Sequence, residues 1–287
     1  MKIAIASGKG GTGKTTLATN LACFLGKHRN VVLVDLDVEE PNSGIFIKGD
    51  HVCGEDKFKM IPIWQGKCSL CGLCQEVCNF NAILQLANEL VIFPNLCHSC
   101  YACSELCPDL AIPMAPQKIG ELRHSKNNRL SFVEGRLDIG QEHATPLIAQ
   151  IKKYVSDHFS NDFIQIYDAP PGNSCPVIEA IKNVDLIFLV TEPTPFGLHD
   201  LKLAVEIVRK LNKSFGIVIN REGIGNNEVL EYCRQEHLPI LAKIPDNRHI
   251  AELYSRGELV YHAIPEVAQQ LFHIEQYLND YLNEGHP

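Results

Sequence analysis

No stretch of this chain comes near the about 18 consecutive apolar residues of a membrane-spanning helix, so a span of that kind is excluded. Positive charge is also in short supply, with 26 Lys and Arg against 34 Asp and Glu. A protein that coats nucleic acid needs a basic footprint to neutralise phosphates, and this composition does not supply one. Residues 258–287 hold no Lys or Arg and five acids, so the basic amphipathic tail that docks a helix on lipid is missing as well. Met1 to Ala6 lacks the apolar run and cleavage site of a secretory signal. The expected compartment is therefore the reducing cytoplasm, where clustered cysteines serve as ligands rather than disulfides.

What is present is a 45% hydrophobic chain of 287 residues, enough for one large core and a second small module. Twelve cysteines are distributed unevenly, eight of them between Cys68 and Cys107. Elsewhere short apolar runs alternate with helical stripes. Strands are predicted over residues 2–6, 31–34, 130–137, 163–167, 186–190, 215–219 and 239–244, and helices over 14–27, 176–182, 198–211, 227–235, 247–254 and 266–282. Continuous apolar strands separated by helices indicate a doubly wound, mostly parallel α/β sheet. The alternation breaks between about Gly49 and Arg129, which reads as an insertion, because neither flank completes a sheet alone. The expected organisation is a discontinuous α/β domain, residues 1–58 and 120–287, with a small α+β domain inserted at 59–119.

Gly8-Lys9-Gly10-Gly11-Thr12-Gly13-Lys14-Thr15 fits the phosphate-binding pattern G-x-x-x-x-G-K-[ST] and lies between a predicted strand and a predicted helix, as that motif requires. The glycines let backbone N–H groups and the positive helix end face the phosphates. Lys14 would reach the β- and γ-phosphates, Thr15 would hold Mg²⁺, and Thr16 could bond the α-phosphate. A guanine-reading N-K-x-D segment is missing, since Asn212-Lys213-Ser214-Phe215 lacks the Asp and Asn220-Arg221-Glu222-Gly223 lacks both Lys and Asp. Adenine is the favoured base.

The extra lysine, Lys9, makes the loop K-G-G-x-G-K-[ST], which resembles the deviant Walker A ATPases of the MinD, ParA, Mrp and nitrogenase iron protein type. The resemblance implies a P-loop NTPase fold and an ATP-dependent dimer in which Lys9 reaches the partner's nucleotide. It matches Asp37 of Asp35-Leu36-Asp37 to the catalytic, Mg²⁺-answering aspartate of the first switch. Asp168, ending the strand before Ala169-Pro170-Pro171-Gly172, looks like the Walker B carboxylate on Mg²⁺, and Gly172 like a second-switch donor to the γ-phosphate. Asn220 and the Pro245-Asp246 turn match the family's adenine contacts.

Cys68-x₂-Cys71-x₂-Cys74-x₃-Cys78 and Cys97-x₂-Cys100-x₂-Cys103-x₃-Cys107-Pro108 repeat one pattern, and this resembles a bacterial two-cluster ferredoxin. The resemblance implies one [4Fe–4S] cluster on Cys68, Cys71, Cys74 and Cys107 and a second on Cys97, Cys100, Cys103 and Cys78. Zinc, which prefers paired knuckles closing one tetrahedron, fits the spacing less well. Cys78 is followed by Asn79 rather than Pro, a departure that bears on packing near a cluster rather than on ligation. Cys175 sits where the iron protein carries a cluster ligand, yet no second thiol accompanies it outside the cysteine-rich segment, so a buried or helix-start thiol is the favoured reading. Cys23, Cys53 and Cys233 read as packing residues.

The combination predicts an ATP-hydrolysing protein, dimeric with itself or with a paralogue, whose nucleotide state gates electron transfer through two clusters to a redox partner. Two alternatives stay open at this point. One is a carrier or scaffold passing iron–sulfur clusters to an accepting protein; the other is a redox-sensing positioning ATPase.

Overall fold

The computed structural model describes residues 1–284. The amphipathic helix expected over 266–282 falls inside that range, and the final three positions of the predicted acidic tail lie outside it.

In chain order the first half comprises β1 (Lys2–Ala6), α1 (Lys14–Leu25), β2 (Val31–Asp35), β3 (Asp50–Pro62), α2 (Leu73–Glu76), β4 (Ile83–Leu86), β5 (Glu89–Ile92), α3 (Ala102–Glu105), β6 (Met114–Asn127) and β7 (Leu130–Leu137). The second half comprises α4 (Ala144–His158), β8 (Ile164–Asp168), α5 (Cys175–Ile181), β9 (Leu186–Thr191), α6 (Pro195–Lys210), β10 (Ser214–Glu222), α7 (Glu228–Gln235), β11 (Ile240–Pro245), α8 (Arg248–Ser255) and α9 (Pro265–Asn283). One nine-stranded sheet has the order β11-β10-β9-β1-β8-β2-β7-β6-β3. The pairings from β11 to β7 are all parallel, while β6 and β3 add two antiparallel strands, with β3 at the edge.

The central strands are mostly apolar because helices cover both faces, with Asp35 and Asp168 at strand ends among the few polar residues. One face packs on α4 to α7 through Leu147, Ile151, Val177, Leu201 and Val229. The other packs on α1, α8 and α9 through Leu17, Leu21, Leu253, Leu271 and Ile274. Three elements of the main sheet and its covering helices differ from the sequence expectation. Helix α4 was not anticipated, although its buried residues Leu147, Ile148, Ile151, Tyr154 and Val155 recur at helical spacing. Strands β3 and β6 were not anticipated either. Most of their exposed residues are polar, Val52 and Phe58 of β3 apart, so they lack the continuous apolar runs that announce the central strands.

Strand β6 pairs with β7 only as far as Gly120↔Leu137, whereas its pairing with β3 continues from Phe58↔Lys118 to Pro62↔Met114. The two strands thus project beyond the sheet as a ribbon, and residues 63–113 sit between their ends. This segment has its own two-stranded sheet of β4 and β5 and its own apolar cluster, built on Cys74, Ile83, Leu90, Cys103 and Ile112.

Candidate functional site

The glycine-rich loop leaves β1 and feeds α1. Gly13 precedes the helix with φ at 93°, a left-handed conformation that a side chain would strain, and an added Cβ would lie 2.3 Å from Asn220 Nδ2. That close approach lets Asn220 donate to the Thr12 carbonyl at 2.7 Å, tying the end of β10 to the loop. Gly8 is equally confined, because a Cβ there would meet the Asp200 carbonyl at 2.6 Å.

The loop opens onto a cleft at the C-terminal ends of the strands, where doubly wound sheets place their ligands. Gly10, Gly11, Gly13, Lys14, Thr15 and Thr16 line one side and Asp37 the near wall. Asn220, Pro245 and Asp246 face them, joined by Arg248 and Tyr254 of α8. Residues separated by more than two hundred positions in sequence therefore meet around one space. Gly8, Lys9 and Thr12 do not line it, and Asp168 lies beneath it, 1% exposed.

The floor is electrostatically tight. Lys14 donates to Ser7 Oγ at 3.1 Å, and burial pulls its pKa down while Asp168, Asp37 and Asp35 pull it back up. Burial raises the Asp168 carboxyl, against the opposing pull of Thr15, Lys14 and Ser43. Its Oδ2 accepts from Ser43 Oγ at 3.2 Å, whereas Oδ1 is buried with no partner. An unpartnered buried carboxylate oxygen beside a threonine hydroxyl is the donor set that a hard, oxygen-seeking cation takes. Asp35, raised by burial and then by Asp168, accepts from the N–H groups of Asp37, Asn42 and Ser43. It shapes the loop that carries Asp37, a role sequence reasoning missed although the residue directly follows a predicted strand. Burial raises Asp37 too, with Lys14 opposing.

Two expected donors are engaged within the chain. The Gly172 N–H is given to the Ser7 carbonyl at 3.2 Å, with φ at 94°, so offering it to a phosphate requires the loop to move. Lys9 is ion-paired with Glu192 at 3.4 Å, and Arg221 meets the same carboxylate at 3.2 Å. Glu192 was not singled out from sequence because its effect depends on a fold that brings the turn after β9 against the loop after β1.

The cysteines gather in two places. One cavity is lined by Cys68, Cys71, Cys74 and Cys107, the other by Cys97, Cys100, Cys103 and Cys78. In each, three cysteines come from one run and the fourth from the other. All eight are free thiols, and among the described residues no group of three or more His, Cys, Asp or Glu is arranged to hold a metal ion. The backbone repeats as the cysteines do: Leu70, Asn81, Ser99 and Leu110 all have positive φ. The N–H groups of Leu70 and Ser99 point at Cys68 and Cys97 Sγ, and those of Ala82 and Ala111 at Cys78 and Cys107 Sγ, at 3.3 to 3.4 Å. Such donors stabilise thiolates around a cluster.

The other cysteines are elsewhere. Cys175 is exposed at the start of α5, burial pushes Cys23 up to about 12 and Cys233 to about 11, and Cys53 Sγ is 3.1 Å from Tyr154 Oη.

The family model for the CobQ/CobB/MinD/ParA nucleotide binding domain matches residues 3–260. The chain belongs to this family. It is 32% identical to the uncharacterized protein MJ0579 of Methanocaldococcus jannaschii, over 90% of each chain. It is 25% identical to an iron-sulfur cluster carrier protein of Aquifex aeolicus, over 96% of this chain and 66% of that one. Among solved structures it resembles the septum site-determining protein MinD of Pyrococcus horikoshii, complexed with Mg-ADP, with a TM-score of 0.59 and 22% identity over 96% of this chain and 95% of that one. That likeness shows the α/β fold of this MinD/ParA-type member. No helix among the described residues is long and apolar enough to cross a membrane.

Proposed function

We propose that this MinD/ParA-type chain is an ATP-hydrolysing iron–sulfur protein whose nucleotide state gates electron transfer to a protein partner. The observation that carries the reading is the crossed pairing of the cysteines, three plus one around each of two cavities, on a ribbon anchored in the sheet that also presents the P-loop. Residues 63–113 would be the ferredoxin-like unit, somewhat shorter than the 59–119 expected from sequence, because β3 and β6 carry the main sheet's pairing up to Pro62 and Met114.

The residues fit the groups they would hold. Gly10 to Thr16 would cradle the phosphates, with Lys14 on the β- and γ-oxygens and Thr15 and Asp168 on Mg²⁺. Asp37 would orient a water against the γ-phosphate, and Asn220, Pro245 and Asp246 would line the adenine side. Lys9 would complete the site of a second copy or of a paralogue across a dimer interface. Cys68, Cys71, Cys74 and Cys107 would ligate one [4Fe–4S] cluster, and Cys97, Cys100, Cys103 and Cys78 the other. Bound there, such clusters accept and release single electrons. The chain's own part is to supply thiolates, direct N–H groups at sulfur and exclude water with Ile83, Leu90 and Ile112.

Release of the Gly172 N–H from Ser7 and of Lys9 from Glu192 would accompany closure on ATP, and hydrolysis would restore both contacts. The test is anaerobic reconstitution with iron and sulfide counting, followed by stopped-flow oxidation of the reduced protein by its partner with and without MgATP. A chain that holds no iron, or equal rates in both states, rejects the reading. The similarity to the Aquifex aeolicus cluster carrier protein favours a second reading, a cluster carrier, for which iron should pass to an apo-acceptor in the presence of a chelator.

A further inference from the structure

The two cysteine cavities are related by the sequence repeat, yet their surroundings carry different charge. Ser69 and Asp109 meet at the first: the Asp109 carboxylate accepts from both Ser69 N–H and Oγ at 2.6 Å, beside Cys68. The residues at the repeat-related positions are His98 and Phe80, and these also meet, but as rings stacked at 3.8 Å with His143 against the edge of His98. The carboxylate of one site is replaced by an aromatic ring at the other.

A second asymmetry comes from outside the repeat. Lys59, on the projecting part of β3, is 4% exposed, and its ammonium donates to the carbonyls of Pro94 at 2.8 Å and Cys97 at 3.3 Å. Behind the Cys97 run there is thus a buried cation; Glu142 also faces it, but acts on it less than Cys97 does. Lys67, next to Cys68, is exposed, so solvent screens its charge. The Cys97 side is also the one seated on the ATPase body, since Ser99 Oγ donates to the Met60 carbonyl at 2.6 Å and Asn95 Nδ2 to Gly140 at 3.3 Å.

We propose that Lys59 is a positioning charge that makes the two sites unequal, so that a single electron from a low-potential donor comes to rest at the Cys97, Cys100, Cys103 and Cys78 site rather than at the Cys68 site. This rests on the cluster reading above. Reduction adds one negative charge and breaks no bond. A buried ammonium stabilises that charge and raises the reduction potential of the site it faces; Asp109, exposed and therefore screened, lowers that of the other by a smaller amount. Electrons therefore run from the outer site to the one packed against the nucleotide-binding body, where a change in the switch loops can reach them.

The experiment is an anaerobic redox titration of the full-length reconstituted protein, followed by electron paramagnetic resonance. The unmodified protein should reduce in two separate one-electron waves. Lys59→Met should move the higher wave downward and leave the lower one in place, and Lys59→Arg should restore the separation. Asp109→Asn, at an exposed position that tolerates change, should raise the lower wave and narrow the gap. Two coincident waves in the unmodified protein, or Lys59→Met and Asp109→Asn moving the same wave, would overturn the proposal. If Lys59→Met fails to load clusters, Lys59→Gln, which removes the charge but keeps a donor for the two carbonyls, takes its place, and an unmoved higher wave in that variant overturns the proposal. An unmodified protein without iron and sulfide rejects the cluster reading instead, so the two failures are distinct.

Discussion

Lys9 and Glu192 are paired within one chain, Nζ to Oε2 at 3.4 Å, with Glu192 buried and Arg221 on its other oxygen. The lysine that marks the loop is held within its own chain, so reaching a partner's nucleotide, as proposed, would cost the loss of this contact. Partly exposed ion pairs contribute at most about 1 kcal/mol, so Glu192→Gln should strengthen MgATP-dependent dimerisation by roughly two- to fivefold. Lys9→Ala should bind nucleotide normally and lose turnover. Sedimentation velocity and phosphate release measure these, and normal hydrolysis by Lys9→Ala would reject the sandwich dimer.

Lys14 has a different task, held over the carboxylates by Ser7. A charged hydrogen bond to phosphate contributes about 1.5–3 kcal/mol, so Lys14→Ala should weaken ATP binding by roughly tenfold or more and abolish turnover. Calorimetric titration with a non-hydrolysable ATP analogue gives the affinity directly.

The buried Asp168 predicts a pH signature. Its folded pKa is raised by burial, so the ligand-free native state keeps a proton that the unfolded chain has lost. Stability is then highest below the ordinary carboxylate value of about 4 and declines as pH climbs through the raised value, with Asp35 adding to the decline. Asp168→Asn should remove part of that loss, stabilising the ligand-free protein at neutral pH by roughly 1–2 kcal/mol. It should also erase the gain in melting temperature that Mg²⁺ and nucleotide bring. A melting series across pH, with and without Mg²⁺-nucleotide, checks both effects.

Crossed cysteine pairing can be tested one thiol at a time. Cys107→Ser should impair the site built on Cys68, Cys71 and Cys74 while sparing the site of its own sequence run, and Cys78→Ser should do the reverse. Cys175→Ser, exposed at the head of α5, should leave iron content unchanged. Iron analysis with paramagnetic resonance separates these outcomes. Loss of the Cys97-run signature in Cys107→Ser would reject crossing.

Much of the site was legible because short-range chemistry wrote it. A loop that must expose backbone N–H groups to phosphate needs glycine at Gly11 and Gly13, both with positive φ, immediately before a helix. The thiol spacing repeats in the same way, down to the backbone turns around Leu70 and Ser99. Central strands were legible because burial on both faces leaves only apolar residues, as at Val31 to Val34. Strands β3 and β6 were not, since a ribbon with solvent on its outer side needs no such run. Lys59 carried no local signal, and the contact of Glu192 with Lys9 could not be read from the residues around either one.

The sequence alone thus determined the phosphate loop, the alternating α/β order and the two cysteine runs, all of which depend on neighbours a few positions apart. Tertiary structure decided which thiol of one run stands with the other, that Glu192 holds Lys9, and that Lys59 lies behind Cys97. Those relationships join residues far apart in the chain, and a charge or a lone pair acts through space at a few ångströms, a distance that only the packed sheet and its ribbon establish.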